Sequence, residues 1–291
     1  MKKISLIFLS LVFIAISFGK VSAQDVKNSR GVVQVYDVES VSDLPENKID
    51  QYYYEDDSVL ISFLFWSSKG KLMMRIENKL TKPIYINWSE SKYLVEGTSI
   101  PLTPYTDKLS DEKLELYSKY KAVEPTLTDM DYEWKRELNK EENEEEDQII
   151  SIQPHSTYSK GNYYLIGSQG IVMDTSASFD VTKSRGKRGL FRKKHTETHV
   201  YHQEFSKEES PVNFGVSIVY STDSTVNKDV QKIEEHFYVS AVHEMEAIHF
   251  RGKKTGRDAE GFSIYKFPER SSTRFYVEID RRNSVDFNKR M

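Results

Sequence analysis

Cysteine is absent from all 291 residues. That excludes disulfides, thiolate zinc sites, iron–sulfur clusters and cysteine nucleophiles, so the fold must be held by core burial. It also excludes a lipid anchor of the bacterial lipoprotein type, which needs a Cys after the first apolar run. A positive excess is missing too: the formal net charge is −4, which argues against general nucleic-acid binding, because that affinity comes mainly from neutralising phosphates. After the N-terminal run, no apolar stretch approaches the length of a membrane helix. P-loop and dinucleotide fingerprints do not occur.

What is present begins with an export signal. Lys2 and Lys3 precede an apolar run over residues 4–18. Val21-Ser22-Ala23 then offers the small residues that signal peptidase requires, so residues 1–23 read as a cleavable signal peptide. The expected location is outside the cytoplasm: periplasmic, cell-surface or secreted.

Most later apolar residues alternate with polar ones. Residues 31–38 alternate weakly, and residues 58–66 (SVLISFLFW) form a β-rich run fit for a central strand. Leu72, Met74 and Ile76 alternate with Met73, Arg75 and Glu77 ahead of a turn and the segment Ile84-Tyr85-Ile86-Asn87-Trp88. Phe214, Val216, Ile218 and Tyr220 share one face; so do Phe237, Val239 and Ala241, and Phe275, Val277 and Ile279. Period-2 patterns broken by Gly, Pro, Asn and Ser predict antiparallel strands and hairpins.

Two stretches depart from this pattern. Residues 107–147 are rich in helix formers, with Met130, Trp134 and Leu138 at helical spacing, and predict a helical insertion ending in the acidic block 141–147. Residues 183–194 crowd Lys183, Arg185, Lys187, Arg188, Arg192, Lys193 and Lys194 around Gly186 and Gly189, predicting a long mobile basic loop. The polar stretch 221–229 is the best candidate for a boundary, should residues 24–291 hold two β domains.

The segment 76–97 (IENKLTKPIYINWSESKYLVEG) resembles a pattern in uncharacterised secreted β-sandwich proteins of the bacterial cell envelope. In them a strand ends in an Asn-polar-Thr turn, and the next carries an aromatic before a Ser-containing kink. SIQPHSTY (151–158) and SPVNFGVSIVYS (210–221) look like later strands of the same sandwich. The resemblance implies a mostly β, antiparallel, immunoglobulin-like β-sandwich and an exported location. It carries no catalytic residues, and such sandwiches host many functions.

The candidate chemistry is sparse. His195, His199 and Glu197 supply ligand types that zinc accepts, but on a strand the two histidines lie roughly 13 Å apart, too far for one ion. His243-Glu244-Met245-Glu246-Ala247-Ile248-His249 lacks the second His at i+4 that a zinc-protease helix needs. Gly167-Ser168-Gln169-Gly170 is not a nucleophile elbow. Tyr52, Tyr53, Tyr54 and the tryptophans Trp66, Trp88 and Trp134 could face sugars, although aromatics are ordinary sheet residues. Asn87-Trp88-Ser89 matches a glycosylation sequon. No catalytic, cofactor or metal residue is assigned. The expectation is a non-enzymatic binding, scaffolding or assembly module, with a metal-dependent or other hydrolase and a surface glycan-binding module as alternatives. Through the basic loop 183–194 it would meet an acidic envelope protein, an anionic glycan or lipid headgroups.

Overall fold

The structure is a computed structural model, and it describes residues 31–102, 148–161, 163–188, 192–257 and 263–291. The signal segment 1–23, the helical insertion 107–147 with its acidic block, and Trp134 lie outside the described residues.

Sixteen strands dominate the described chain. The first seven are β1 (Val32–Ser40), β2 (Tyr53–Glu55), β3 (Val59–Leu64), β4 (Met73–Asn78), β5 (Ile84–Asn87), β6 (Lys92–Val95) and β7 (Thr98–Pro101). After residue 147 come β8 (Ile149–Ile152), β9 (Thr157–Lys160), β10 (Ser178–Arg188), β11 (Arg192–Glu204) and β12 (Asn213–Ser221). The last are β13 (Gln231–Glu246), β14 (Lys253–Arg257), β15 (Ser263–Lys266) and β16 (Arg274–Ile279). Described helix is confined to α1 (Ala247–Phe250), one 3-10 turn (Arg281–Asn283) and α2 (Val285–Arg290). The strand-to-strand ladders are antiparallel, as the alternation predicts.

A ten-stranded sheet is organised around β13. One edge of β13 pairs with β1, which in turn pairs with β16. The other edge pairs with β12 over its first half and with β11 over its second. The four-stranded sheet runs β2-β3-β4-β9. Both sheets contribute to one cluster, in which Phe63 and Phe65 meet Phe237 edge-on at 5.0 and 5.2 Å, and Tyr36 stacks on Phe275 at 4.5 Å. A second cluster gathers Val33, Val35, Trp66, Met73, Phe250 and Tyr276. Burial on both faces explains the weak alternation of β1: Tyr36 faces the first cluster while Val33 and Val35 face the second.

Two sequence expectations are corrected. Ala241 does not share a face with Phe237 and Val239. The β1 register moves from Val38↔Val239 to Asp37↔Ala241, leaving Ser240 as an extra residue, a β-bulge. Past it the side-chain parity of β13 flips, so Val242 and Glu244 turn into the core with Phe237 and Val239, while Ala241 and His243 turn away. The second correction concerns the basic segment 183–194, of which residues 183–188 and 192–194 are strand and not loop, while 189–191 lie outside the described residues. Those strand residues belong to the far half of the β10–β11 ladder, paired from Ser178↔His202 out to Arg188↔Arg192. The backbone ladder overrides a composition that reads as unstructured. The polar stretch 221–229 joins β12 to β13, two strands paired along Asn213–Tyr220 and Gln231–Tyr238.

Candidate functional site

Three features carry the chemistry of the described surface, and the bulge at Ser240 positions two of them. The first lies inside. Glu244, only 1% exposed, accepts from Gln34 Nε2 at 3.0 Å, Ser284 Oγ at 2.8 Å and the Val285 amide at 2.7 Å. Gln34 Oε1 in turn accepts from Tyr36 Oη at 2.5 Å and the Ile171 amide at 3.0 Å. Burial pushes the Glu244 carboxyl up, and these donors only partly offset it. Burial likewise pushes the Tyr36 phenol far above its ordinary range. The network ties β1, β13, the 167–171 turn and α2 together. Gly170, at φ +64°, lets that turn approach: a Cβ there would sit 2.4 Å from Gln34 Oε1.

The second feature is a polar row on the opposite face. Ser178 lies opposite His202, and His202 lies opposite His243. Ser178 Oγ is 2.6 Å from His202 Nε2, and the two histidine rings are 6.4 Å apart. His243 Nε2 meets Asp37 Oδ2 at 3.0 Å, Arg274 Nε lies 2.6 Å from Asp37 Oδ1, and Arg274 reaches Glu269 at 2.8 Å. Burial raises the Asp37 carboxyl, but His243 and Arg274 together outweigh it and hold the group below its usual range. A serine beside a histidine invites a hydrolytic reading. The same Ser178 hydroxyl, however, donates to the His202 carbonyl at 3.3 Å, as expected for a local cross-strand contact on an exposed strand. Nucleophilic catalysis also needs a group that orients the base and donors for the oxyanion. Among the described residues no carboxylate is hydrogen-bonded to His202.

The third feature is the hairpin arm. β11 joins the sheet only through Tyr201↔Glu244 to Glu204↔Ala241. Residues 192–200 of β11 pair only with β10 among the described residues. At about 3.4 Å per residue that free portion spans roughly 27 Å. Its register sets Lys187 opposite Lys193 and Arg188 opposite Arg192. Like charges directly opposite destabilise a ladder. At its base, the Phe179 and Tyr201 rings meet at a tilt of 50°, 5.5 Å apart, under Lys289 of α2, and Tyr201 hydrogen-bonds Asp286. Burial and that bond push the Tyr201 phenol up to about 12.

An open cleft of about 490 Å³ lies between β2 and the 44–45 segment, lined by Leu44, Pro45, Tyr53, Tyr54, Glu55 and Asp57 with Asp56 and Lys79. Asp56 is already committed: it accepts from the Ser58 and Val59 amides and from the Tyr54 and Tyr220 hydroxyls. Burial acts to raise it, and these donors outweigh that and hold it low.

The remaining sequence candidates fall apart. His199 and His195 stay four residues apart on β11, and His199 is exposed against Phe179 and Tyr201. His243 is on β13 and His249 in α1, each next to a different carboxylate, Asp37 and Glu246. No group of three or more His, Asp or Glu suited to a metal occurs among the described residues. Trp66 and Trp88 are buried at 2% and 0% exposure, and Tyr52 is buried with its hydroxyl on the Val38 carbonyl. Asn87 is buried and holds Ser89 Oγ at 2.7 Å. No described helix is long and apolar enough to cross a membrane.

The Gln34–Glu244 network, the histidine row and the arm's register were not foreseen. Each joins residues far apart in the chain, and only the bulge, invisible in composition, decides which side of β13 faces in. The protein-family models, the curated proteins and the solved structures contain no match to this chain.

Proposed function

We propose that this is an exported, non-enzymatic binding or assembly module of the cell envelope, built as an immunoglobulin-like sandwich, and that the basic hairpin arm is its docking element for an anionic partner. One observation carries the reading: a two-stranded arm leaves the sheet with cations set opposite cations. Like charges placed opposite each other in a ladder destabilise it, and an anionic surface that neutralises Lys187, Arg188, Arg192 and Lys193 would remove that cost. The export signal, the acidic overall charge and the burial of Trp66 and Trp88 favour this over a nucleic-acid binder or a glycan site built on those two tryptophans.

The test is binding of the purified protein to polyglutamate beads across a salt series. A second form has residues 183–197 replaced by Asn-Gly, the two-residue hairpin turn, which joins Thr182 to Thr198, its partner in the ladder. The expected result is retention that weakens steeply with salt and is lost in the shortened form, whose thermal melt matches that of the full chain. Retention that ignores salt, or that survives loss of the arm, overturns the proposal.

A further inference from the structure

The polar row on the outer face of the large sheet brings together two histidines that have no part in the docking arm. His202 of β11 and His243 of β13 are direct partners in the ladder, and their rings lie 6.4 Å apart with a tilt of 36°. Directly opposite residues hold their Cβ atoms about 4.5–5.5 Å apart, so both side chains leave one face of a rigid sheet side by side. Both rings are half-buried and reach solvent. Their outer partners decide which nitrogen is left free. Asp37 is held as a carboxylate, which only accepts, so His243 Nε2 donates to Asp37 Oδ2 at 3.0 Å. The neutral His243 ring then keeps its lone pair on Nδ1. On the other side of the pair, the Ser178 hydroxyl donates to the His202 carbonyl at 3.3 Å, and its oxygen accepts from His202 Nε2 at 2.6 Å. His202 likewise keeps its lone pair on Nδ1. Neither Nδ1 has a hydrogen-bond partner among the described residues. A ring held through one nitrogen and free at the other is the arrangement that metal-ligating histidines show.

We propose that His202 and His243 together hold one divalent transition-metal ion through their Nδ1 atoms, with water completing its shell. Such an ion sits about 2.0–2.1 Å from each imidazole nitrogen, which puts the centres of two ligating rings roughly 6 Å apart, close to the spacing of this pair. Imidazole selects zinc, nickel and copper over magnesium and calcium, which take oxygen ligands. The surrounding charge suits a cation. Asp180 and Glu204 stand two residues from Ser178 and His202 on the same face, and Arg274 is occupied by Asp37 and Glu269. Catalytic zinc sites carry three protein ligands, so an ion on two is bound exchangeably. The site lies outside the segment 183–194 and stands apart from the docking reading of the arm.

Isothermal titration of the purified, untagged protein with Zn2+ tests it, with Mg2+ as the control for simple charge attraction. The expected result is one Zn2+ per chain, no binding of Mg2+, and a melting temperature that rises with Zn2+. His202→Ala and His243→Ala are each expected to lower the affinity at least about tenfold, the least that even an outer partner of a ligand is worth. His199→Ala, on the same strand but facing Phe179, is expected to bind as wild type does. Imidazole nitrogen NMR of the wild type gives a second readout that needs no variant. The Nδ1 resonances of His202 and His243 are expected to move as Zn2+ is added, while those of the other histidines stay in place. This readout decides the matter where a melt shows that a substitution has unfolded the chain. Absence of stoichiometric Zn2+, affinity that survives either substitution in a folded form, or shifts confined to other histidines overturns the site.

Discussion

Gln34 and Glu244 stand directly opposite each other in the β1–β13 ladder, and the Gln34 amide donates to the Glu244 carboxylate at 3.0 Å. Both side chains are fully buried, so every one of their hydrogen bonds matters.

Glu244→Gln keeps the size and removes an acceptor. Its oxygen can satisfy Ser284 and Val285, but its amide then faces the Gln34 amide, whose oxygen is already held by Tyr36 and Ile171. The expected loss is about 1–3 kcal/mol, the cost of leaving buried donors unpaired. Urea unfolding monitored by Trp66 and Trp88 fluorescence reads it. An unchanged midpoint would show that the network adds no stability.

Gly170→Ala should cost more than about 1 kcal/mol, since the residue holds a left-handed φ and its new methyl meets Gln34 and Ile279 within 2.5 Å. The same melt compares it with Gly167→Ala, where a Cβ meets nothing within 4 Å. Equal losses at the two sites would contradict the close approach of this turn.

Asp37 supplies a pH signature. Its folded-state pKa is held below its unfolded value, so it contributes stability above the ordinary aspartate range and loses it as the pH falls through the folded value. Asp37→Asn is expected to be less stable than wild type at neutral pH by no more than about 1 kcal/mol, because the pair is partly exposed. The gap should close below about pH 4. A gap that stays constant across that range would remove the ion pair from the account.

Much of the fold was legible in the sequence. Residues 58–66 contain β3, and the four large residues at every second position from Phe214 to Tyr220 mark β12, whose other face, with Ser217 and Val219, is buried as well. The arm was not legible: residues 183–194 carry no apolar alternation, only cations and glycines, and the register that pairs them is written in no local pattern. His202 and His243 meet because β11 pairs with β13 past the bulge, a register that no local pattern encodes.

Backbone nuclear Overhauser effects in isotope-labelled protein test the arm most directly. Cross-strand contacts linking Lys187 to Lys193 and Arg185 to His195 are expected, together with extended-strand chemical shifts from 183 to 194 except at the turn. Random-coil shifts with no contacts between the two halves would return the basic segment to a loose loop. The docking element argued from it would then be lost.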